Sequence, residues 1–129
     1  MNFLRGTVSR EGNGSALVLD AGDRTPFPIT LEDAGASKAI VVGIRPEHIA
    51  TGASDGPAIR VDTTVERVEQ LGATSFCYCV LGDGERLTVQ SPGQAAVAPG
   101  QRMAVDIPHS RLHVFDAETG RSLFAHRPA

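Results

Sequence analysis

An all-β fold is the architecture that this 129-residue chain predicts, and three features carry the prediction. Glycine and proline, 14 and 8 in number, punctuate the sequence every several residues. The segments between them are short, rich in β-branched residues and alternate apolar with polar positions. No stretch supplies a helical crossover long enough to join parallel strands. Many short strands would leave many open edges, so the economical closure is a small Greek-key barrel of the OB type with an additional β-rich segment.

Taken in order, "FLRGTVSRE" and "SALVLD" flank "GNG" and read as a hairpin. Leu31 to Lys38 carries the only hint of a helical turn, and "AIVVGI" follows as a buried strand. The loop "ATGASDGP" offers the clearest internal break, near 51–57, within a single domain spanning 1–129. Beyond it, "AIRVDTTVERVEQLG" alternates Ile59, Val61, Thr63 and Val65 with polar residues, then slips phase at Val68 before Gly72, which predicts a bulge or a barrel corner. "SFCYCVL" is apolar on both faces and reads as a central strand covered on each side. "GDGE" turns it into "RLTVQS". After the loop "PGQAAVAPG" come the strands "QRMAVDIP" and "SRLHVFD", with "DAETG" turning the last into "RSLF".

At the end of "AIVVGI" stands "RPEH", two opposite charges held around a proline. Proline fixes its own φ and pushes the preceding residue into an extended conformation, so Arg45 and Glu47 are presented in a defined geometry. Such geometry serves an internal ion pair or a docking surface. Glu69, where the alternation slips, is the expected internal partner of Arg45, since a guanidinium–carboxylate pair needs this preorganisation. Glu66 is the other charged residue of interest, and solvated surface charge is the plain alternative for all four.

Composition excludes several functions. A formal charge of −3, from 12 basic and 15 acidic residues well interspersed, gives no electrostatic reason to expect nucleic acid or an anionic membrane as a partner. With no Trp, one Tyr and five Phe, stacking platforms for single strands are poorly supplied. No signal segment or membrane-spanning run is recognised, so a cytoplasmic location is expected. Cys77 and Cys79 lie two apart on one strand face and read as reduced core residues. His48, His109, His113 and His126 lack ligand spacing, so no metal is expected. In "HSRLHVFD", His109 and His113 would share a strand face about 13 Å apart, too far to act together, and read as solvent-facing positions on an edge. There is neither a phosphate-binding glycine loop nor a nucleophile elbow, so no enzyme activity is expected.

Four stretches together carry a family resemblance: "MNFLRGTV" at 1–8, "VVGIRPEH" at 41–48, "VERVEQLG" at 65–72 and "VAPGQRMAVDIPHSRLHVFDAETGRSL" at 97–123. They resemble the C-terminal accessory domain, the TOBE domain, of ATP-binding subunits in ABC importers of the maltose and glycerol-3-phosphate class. By position, Gly43, Arg45, Pro46, Glu47, Glu69 and Gly72 match the inner motifs, while Phe115, Asp116 and Gly120 match the terminal one. The resemblance implies structural or interaction roles for them and no catalysis.

It also implies a regulatory and dimer-stabilising module for sugar or related solute import, working as a homodimer, attached to a nucleotide-binding domain and able to receive regulatory proteins. The nucleotide-binding domain is absent from this chain, and ATP and magnesium belong to it. Contact with the inner membrane would be peripheral, through other transporter subunits. A rival of another class is small-oxyanion binding, because "NFLRGTV" resembles the tail of molybdate-binding barrels. The Ser-Ala-Arg that precedes the asparagine in those proteins has no counterpart here, where Met1 precedes Asn2. Oligonucleotide binding on the barrel face is the third reading, and the charge and aromatic counts oppose it.

Because phosphate-cradling loops are missing, the chain is expected neither to bind nor to hydrolyse ATP. Calorimetric titration checks this, and micromolar binding would overturn it.

Overall fold

The computed structural model describes residues 1–11, 14–21, 24–27, 37–52 and 56–123. Among the described residues, nine strands form two antiparallel sheets: β1 (Asn2–Glu11), β2 (Gly14–Leu19), β3 (Arg24–Phe27), β4 (Ser37–Ile44), β5 (Ala58–Leu71), β6 (Thr74–Leu81), β7 (Arg86–Pro92), β8 (Arg102–Pro108) and β9 (His113–Asp116). The first sheet has the order β3-β2-β1-β4-β9 and the second β7-β6-β5-β8. In each, three hairpin-linked strands are followed by a fourth that returns beside the first of them, which is the Greek key. The all-β expectation holds.

Alternation decides which face each strand buries. On β1, Leu4 and Val8 point inward, and on β4 Ile40, Val42 and Ile44 do the same. From the second sheet come Ile59, Val61 and Val65 on β5, Cys77, Cys79 and Leu81 on β6, Leu87 and Val89 on β7, and Met103, Val105 and Ile107 on β8. All join one apolar cluster with Leu17 and Leu19 of β2 and with Ile49, Leu112, Val114 and Leu123. Both cysteines are free and buried.

Connections between the sheets run both ways. The chain leaves β4 through a short 3-10 turn at Pro46–His48 and enters β5. After β8, a second such turn at His109–Arg111 carries it back, and β9 pairs with β4 in the first sheet.

Several expectations need correcting. Ser37 and Lys38 belong to β4, where they pair with Ser9 and Val8; the rest of the proposed helical turn, 31–36, lies outside the described residues. Most of the "GNG" turn does too, although Glu11 pairs with Gly14 as that hairpin requires. The phase slip falls two residues earlier than the sequence suggests, with the register of β5 against β6 shifting between Val65 and Arg67. "SFCYCVL" is central, between β5 and β7, but only its inward face is fully buried, and Phe76, Tyr78 and Val80 are half-exposed. "SRLHVFD" is no single strand: Pro108 ends β8, the turn draws His109 to 7 % exposure, and burial lowers its pKa. His113, rather than facing solvent alone, stacks on Phe115.

One glycine is dictated by close approach. A Cβ on Gly6 would lie 2.6 Å from the Val18 carbonyl oxygen of the paired strand, where β1 and β2 press together. Gly52 faces open space. Gly6→Ala is therefore expected to cost about 1–3 kcal/mol through overpacking, against roughly 0.5 kcal/mol or less for Gly52→Ala. Urea denaturation of both variants checks the contrast, and equal midpoints would refute it.

Candidate functional site

The motif at the end of β4 is built in layers. Gly43 is buried, and a Cβ there would meet Met1 Sδ at 2.9 Å and Phe115 Cε2 at 3.1 Å. The missing side chain thus lets Met1, Phe3 and Phe115 close over the strand on the outer face of the first sheet. Arg45 is extended, with φ −75° and ψ 142°, as the following proline requires. Pro46 opens the 3-10 turn, where its missing N–H leaves nothing unsatisfied, and the His48 N–H donates to the Arg45 carbonyl at 3.0 Å. Ile49 then enters the core, and Ala50 exchanges backbone hydrogen bonds with Asp106 of β8 at 2.9 and 2.8 Å.

The expected Arg45–Glu69 pair is not formed. Tyr78 Oη donates to Glu69 Oε1 at 3.1 Å, Arg67 lies 3.9 Å from its other oxygen, and the Arg67 guanidinium covers the Tyr78 ring at 4.2 Å. These partners stand on β5 itself and on the adjacent β6, so local register supplies them at no cost in chain reach. Arg45 and Glu47 are exposed, and neither side chain has a hydrogen bond or ion pair among the described residues. Glu66, at the bulge, pairs with Arg86 across exposed surface.

In "VEQLG" the organising residue is Gln70. Its Nε2 donates to the Gly72 carbonyl at 2.7 Å and lies 3.3 Å from the Gly93 carbonyl. Ser75, fully buried, places its Oγ 2.7 Å from Gln70 Oε1, within reach of the Gly93 carbonyl too, and accepts the Ala95 N–H at 3.0 Å. The hydroxyl has one proton, which serves either acceptor. Gly72 closes the turn at φ +62°, a conformation that favours glycine. The sequence did contain a signal for Ser75: a polar residue in phase with Cys77, Cys79 and Leu81, hence aimed at the core.

The terminal motif organises another turn. Asp116 Oδ2 accepts from Lys38 Nζ at 3.0 Å, while Oδ1 accepts the N–H groups of Glu118 at 2.7 Å and Thr119 at 3.2 Å. Gly120, at φ +76°, donates its N–H to the Asp116 carbonyl at 2.8 Å. Phe115 lies on the outer face, its ring 6.2 Å from that of His113 and nearly parallel to it.

Beside the Pro46 turn opens a cleft of about 600 Å³. One wall is Glu47 and Ile49–Thr51, the other is the end of β7 with the segment 94–97, and Cys77 and Met103 form part of the floor. Burial raises the Cys77 pKa, so its thiol stays protonated near neutrality.

The Lys38 bond and the two turn N–H groups hold the Asp116 carboxyl below the ordinary aspartate range. Since the folded pKa lies below the unfolded one, its stabilisation is complete above that range and is lost as pH falls through the folded value. Urea melts through the acid range are expected to show a smaller acid loss for Asp116→Asn than for the parent chain. Equal losses would refute the assignment.

Comparison with known proteins places this geometry. The family described as the TOBE domain matches residues 42–115, and that of the MalK OB fold domain matches residues 1–49. A relative from Cereibacter sphaeroides, the sn-glycerol-3-phosphate import ATP-binding protein UgpC, is 38 % identical over 112 residues, 87 % of this chain and 30 % of its own length. The sulfoquinovosyl glycerol transport ATP-binding protein SmoE of Agrobacterium fabrum is 32 % identical over 126 residues, 95 % of this chain and 33 % of its own. The chain thus spans about a third of the length of the curated relatives it matches. Among solved structures, the cytoplasmic molybdate-binding protein ModG, with molybdate bound, superposes with a TM-score of 0.65 at 19 % identity, over 88 % of this chain and 94 % of ModG. That likeness concerns the fold. With an OB-type barrel and both matches running in order along it, the chain belongs to the TOBE-domain family, as the accessory domain found in ATP-binding subunits of ABC importers.

Proposed function

We propose that this chain is a regulatory and dimer-stabilising module for the ATP-binding subunit of an importer of sugars or related solutes. The observation that carries the reading is the pair of consecutive matches, 1–49 and 42–115, which leave little of the chain unassigned to the accessory part of such subunits. In this role it performs no chemistry: ATP and magnesium are handled by a nucleotide-binding domain of the same subunit. Its work is to hold two subunits together while their cassettes separate, and to receive regulatory proteins. The location is cytoplasmic, touching the inner membrane only through other transporter subunits.

A surface suited to self-association supports the dimeric part. On the outer face of the first sheet, Phe3 is 59 % and Met1 50 % exposed, beside half-buried Val41, His113 and Phe115. Strand register sets Phe3 and His113 on either side of Gly43, so these side chains form one continuous patch. Apolar groups of this size left in water favour a covered state. A two-fold dimer would use the same patch on both copies, at about 800 Å² per partner or less.

Oxyanion binding is the second reading, favoured by the likeness to ModG. It needs cationic or N–H donors converging on one point, and among the described residues the 600 Å³ cleft has no Lys, Arg or His in its lining.

Sedimentation velocity over a wide concentration range tests the dimer. The parent chain is expected to move from monomer toward dimer, and Phe3→Glu to remain monomeric with an unchanged thermal melt. A parent chain that stays monomeric at the highest concentration would overturn intrinsic dimerisation.

A further inference from the structure

We propose that the cleft between the Glu47–Thr51 wall and the 94–97 segment binds a small, uncharged, polyhydroxylated molecule of the sugar and polyol class. This goes beyond the role as a dimer-stabilising module and does not depend on it. At about 600 Å³ the cleft falls within the usual range of small-molecule sites, about 300–1,000 Å³.

Its lining has two kinds of surface. Ile49, Val97 and Met103 offer apolar contact suited to the C–H faces of a ring or a carbon chain. Glu47, Thr51, Gln90, Ser91 and Gln94 bring a carboxylate, two hydroxyls and two carboxamides. None of these five side chains makes a hydrogen bond among the described residues. Five hydrogen-bonding groups without internal partners around one concavity are matched by a molecule carrying many hydroxyls, because each hydroxyl both donates and accepts.

Both walls are fixed before any ligand arrives. Pro46 and the Ala50–Asp106 bridge set the first. The second hangs from Gly93 and Ala95, which the buried Ser75 and the exposed Gln70 hold from behind. Preorganised walls reduce the ordering cost of binding.

Charge narrows the class. Among the described residues the lining holds one acidic residue and no Lys, Arg or His, so phosphate, sulfonate or molybdate would meet repulsion without a counter-charge from them. Among the described residues, a cation would find a single exposed carboxylate and no aromatic ring for cation–π support. An uncharged ligand uses the Glu47 carboxylate as an acceptor for hydroxyls and suffers from neither deficit.

The test is a two-dimensional amide NMR titration of the full chain with maltose, glucose and glycerol, each in its own series. Parallel series use sn-glycerol 3-phosphate and molybdate. At least one neutral compound is expected to give saturable shifts confined to residues 47–51 and 90–97, approaching saturation by about 10 mM. Gln94→Ala, at an exposed position whose side chain makes no hydrogen bond among the described residues, is expected to melt as the parent does and to weaken that binding about tenfold. Ala96→Phe, which fills the cleft from an exposed position, is expected to abolish it. The proposal is overturned if none of the three neutral compounds gives saturable shifts, if the shifts survive Ala96→Phe, or if either anion shifts these residues at lower concentration than the neutral compounds do.

Discussion

A carboxamide at the start of β1 ties one sheet to the edge of the other. Asn2 Nδ2 donates to the Thr88 carbonyl at 2.8 Å, and the Thr88 N–H donates to Asn2 Oδ1 at 2.9 Å. Thr88 lies on β7, the outer strand of the second sheet, so the side chain supplies both bonds that a further strand would have made. Asparagine suits this place because its amide is donor and acceptor at once, whereas aspartate lacks the donor and leucine lacks both. Three residues on, the Arg5 N–H donates to Glu85 Oε2 at 3.0 Å, stitching β1 to the turn before β7. Between these ties sits Leu4, fully buried. Loss of the amide would leave two backbone groups of β7 to find new partners, at about 1–3 kcal/mol for each one left buried and unsatisfied. Together with the shared core, this seam sets β1 of the first sheet against β7 of the second.

Much of the fold was legible because alternation and turn chemistry are local. The hairpins β5–β6 and β6–β7 follow from period-two apolar residues separated by glycine-bearing turns, and the sheet realises both registers. What escaped was non-local. β3 contains Pro26, which argues against a central strand, and it sits at the sheet edge, where a missing N–H is tolerated. The return of β9 to β4 could not be read at all, since nothing near residues 113–116 states which sheet they join. The bulge was visible as a slip in phase but misplaced, because Val68 is only partly buried once β5 has left the core.

The candidate site was legible as positions and much less as roles. Gly43, Gly72 and Gly120 stand where a close approach or a positive φ requires glycine, so the motifs mark real backbone constraints. Roles of charged side chains depend on which neighbour arrives first. The sequence points Glu69 toward Arg45 across the chain, yet Tyr78 and Arg67 reach it from nearby positions of the same sheet. Gln70, beside it, braces a loop more than 20 residues away and carries no sequence mark beyond polarity. Asp116 engages Lys38 only because β9 returns to β4, a pairing the sequence does not announce.

That return explains why "GIRPEH" and "FDAETG" occur in one domain. Lys38, near the start of β4, binds Asp116 at the end of β9, and Gly43, near the end of β4, lies under Phe115. The two strands are thus secured at both ends of their pairing by residues drawn from both motifs. Proline, the 3-10 turn and the Ala50–Asp106 bridge then extend this order beyond β4, where Arg45 and Glu47 stand exposed. An internal ion pair would be the simplest use of so much backbone constraint, but these two charges make none among the described residues. Surface charges that serve only solubility need no fixed backbone, and a floppy loop would expose them equally well. The stiffness here has an internal return instead: it carries Ile49 into the core and Ala50 onto Asp106, and it leaves Glu47 in the lining of the cleft with Arg45 exposed beside it.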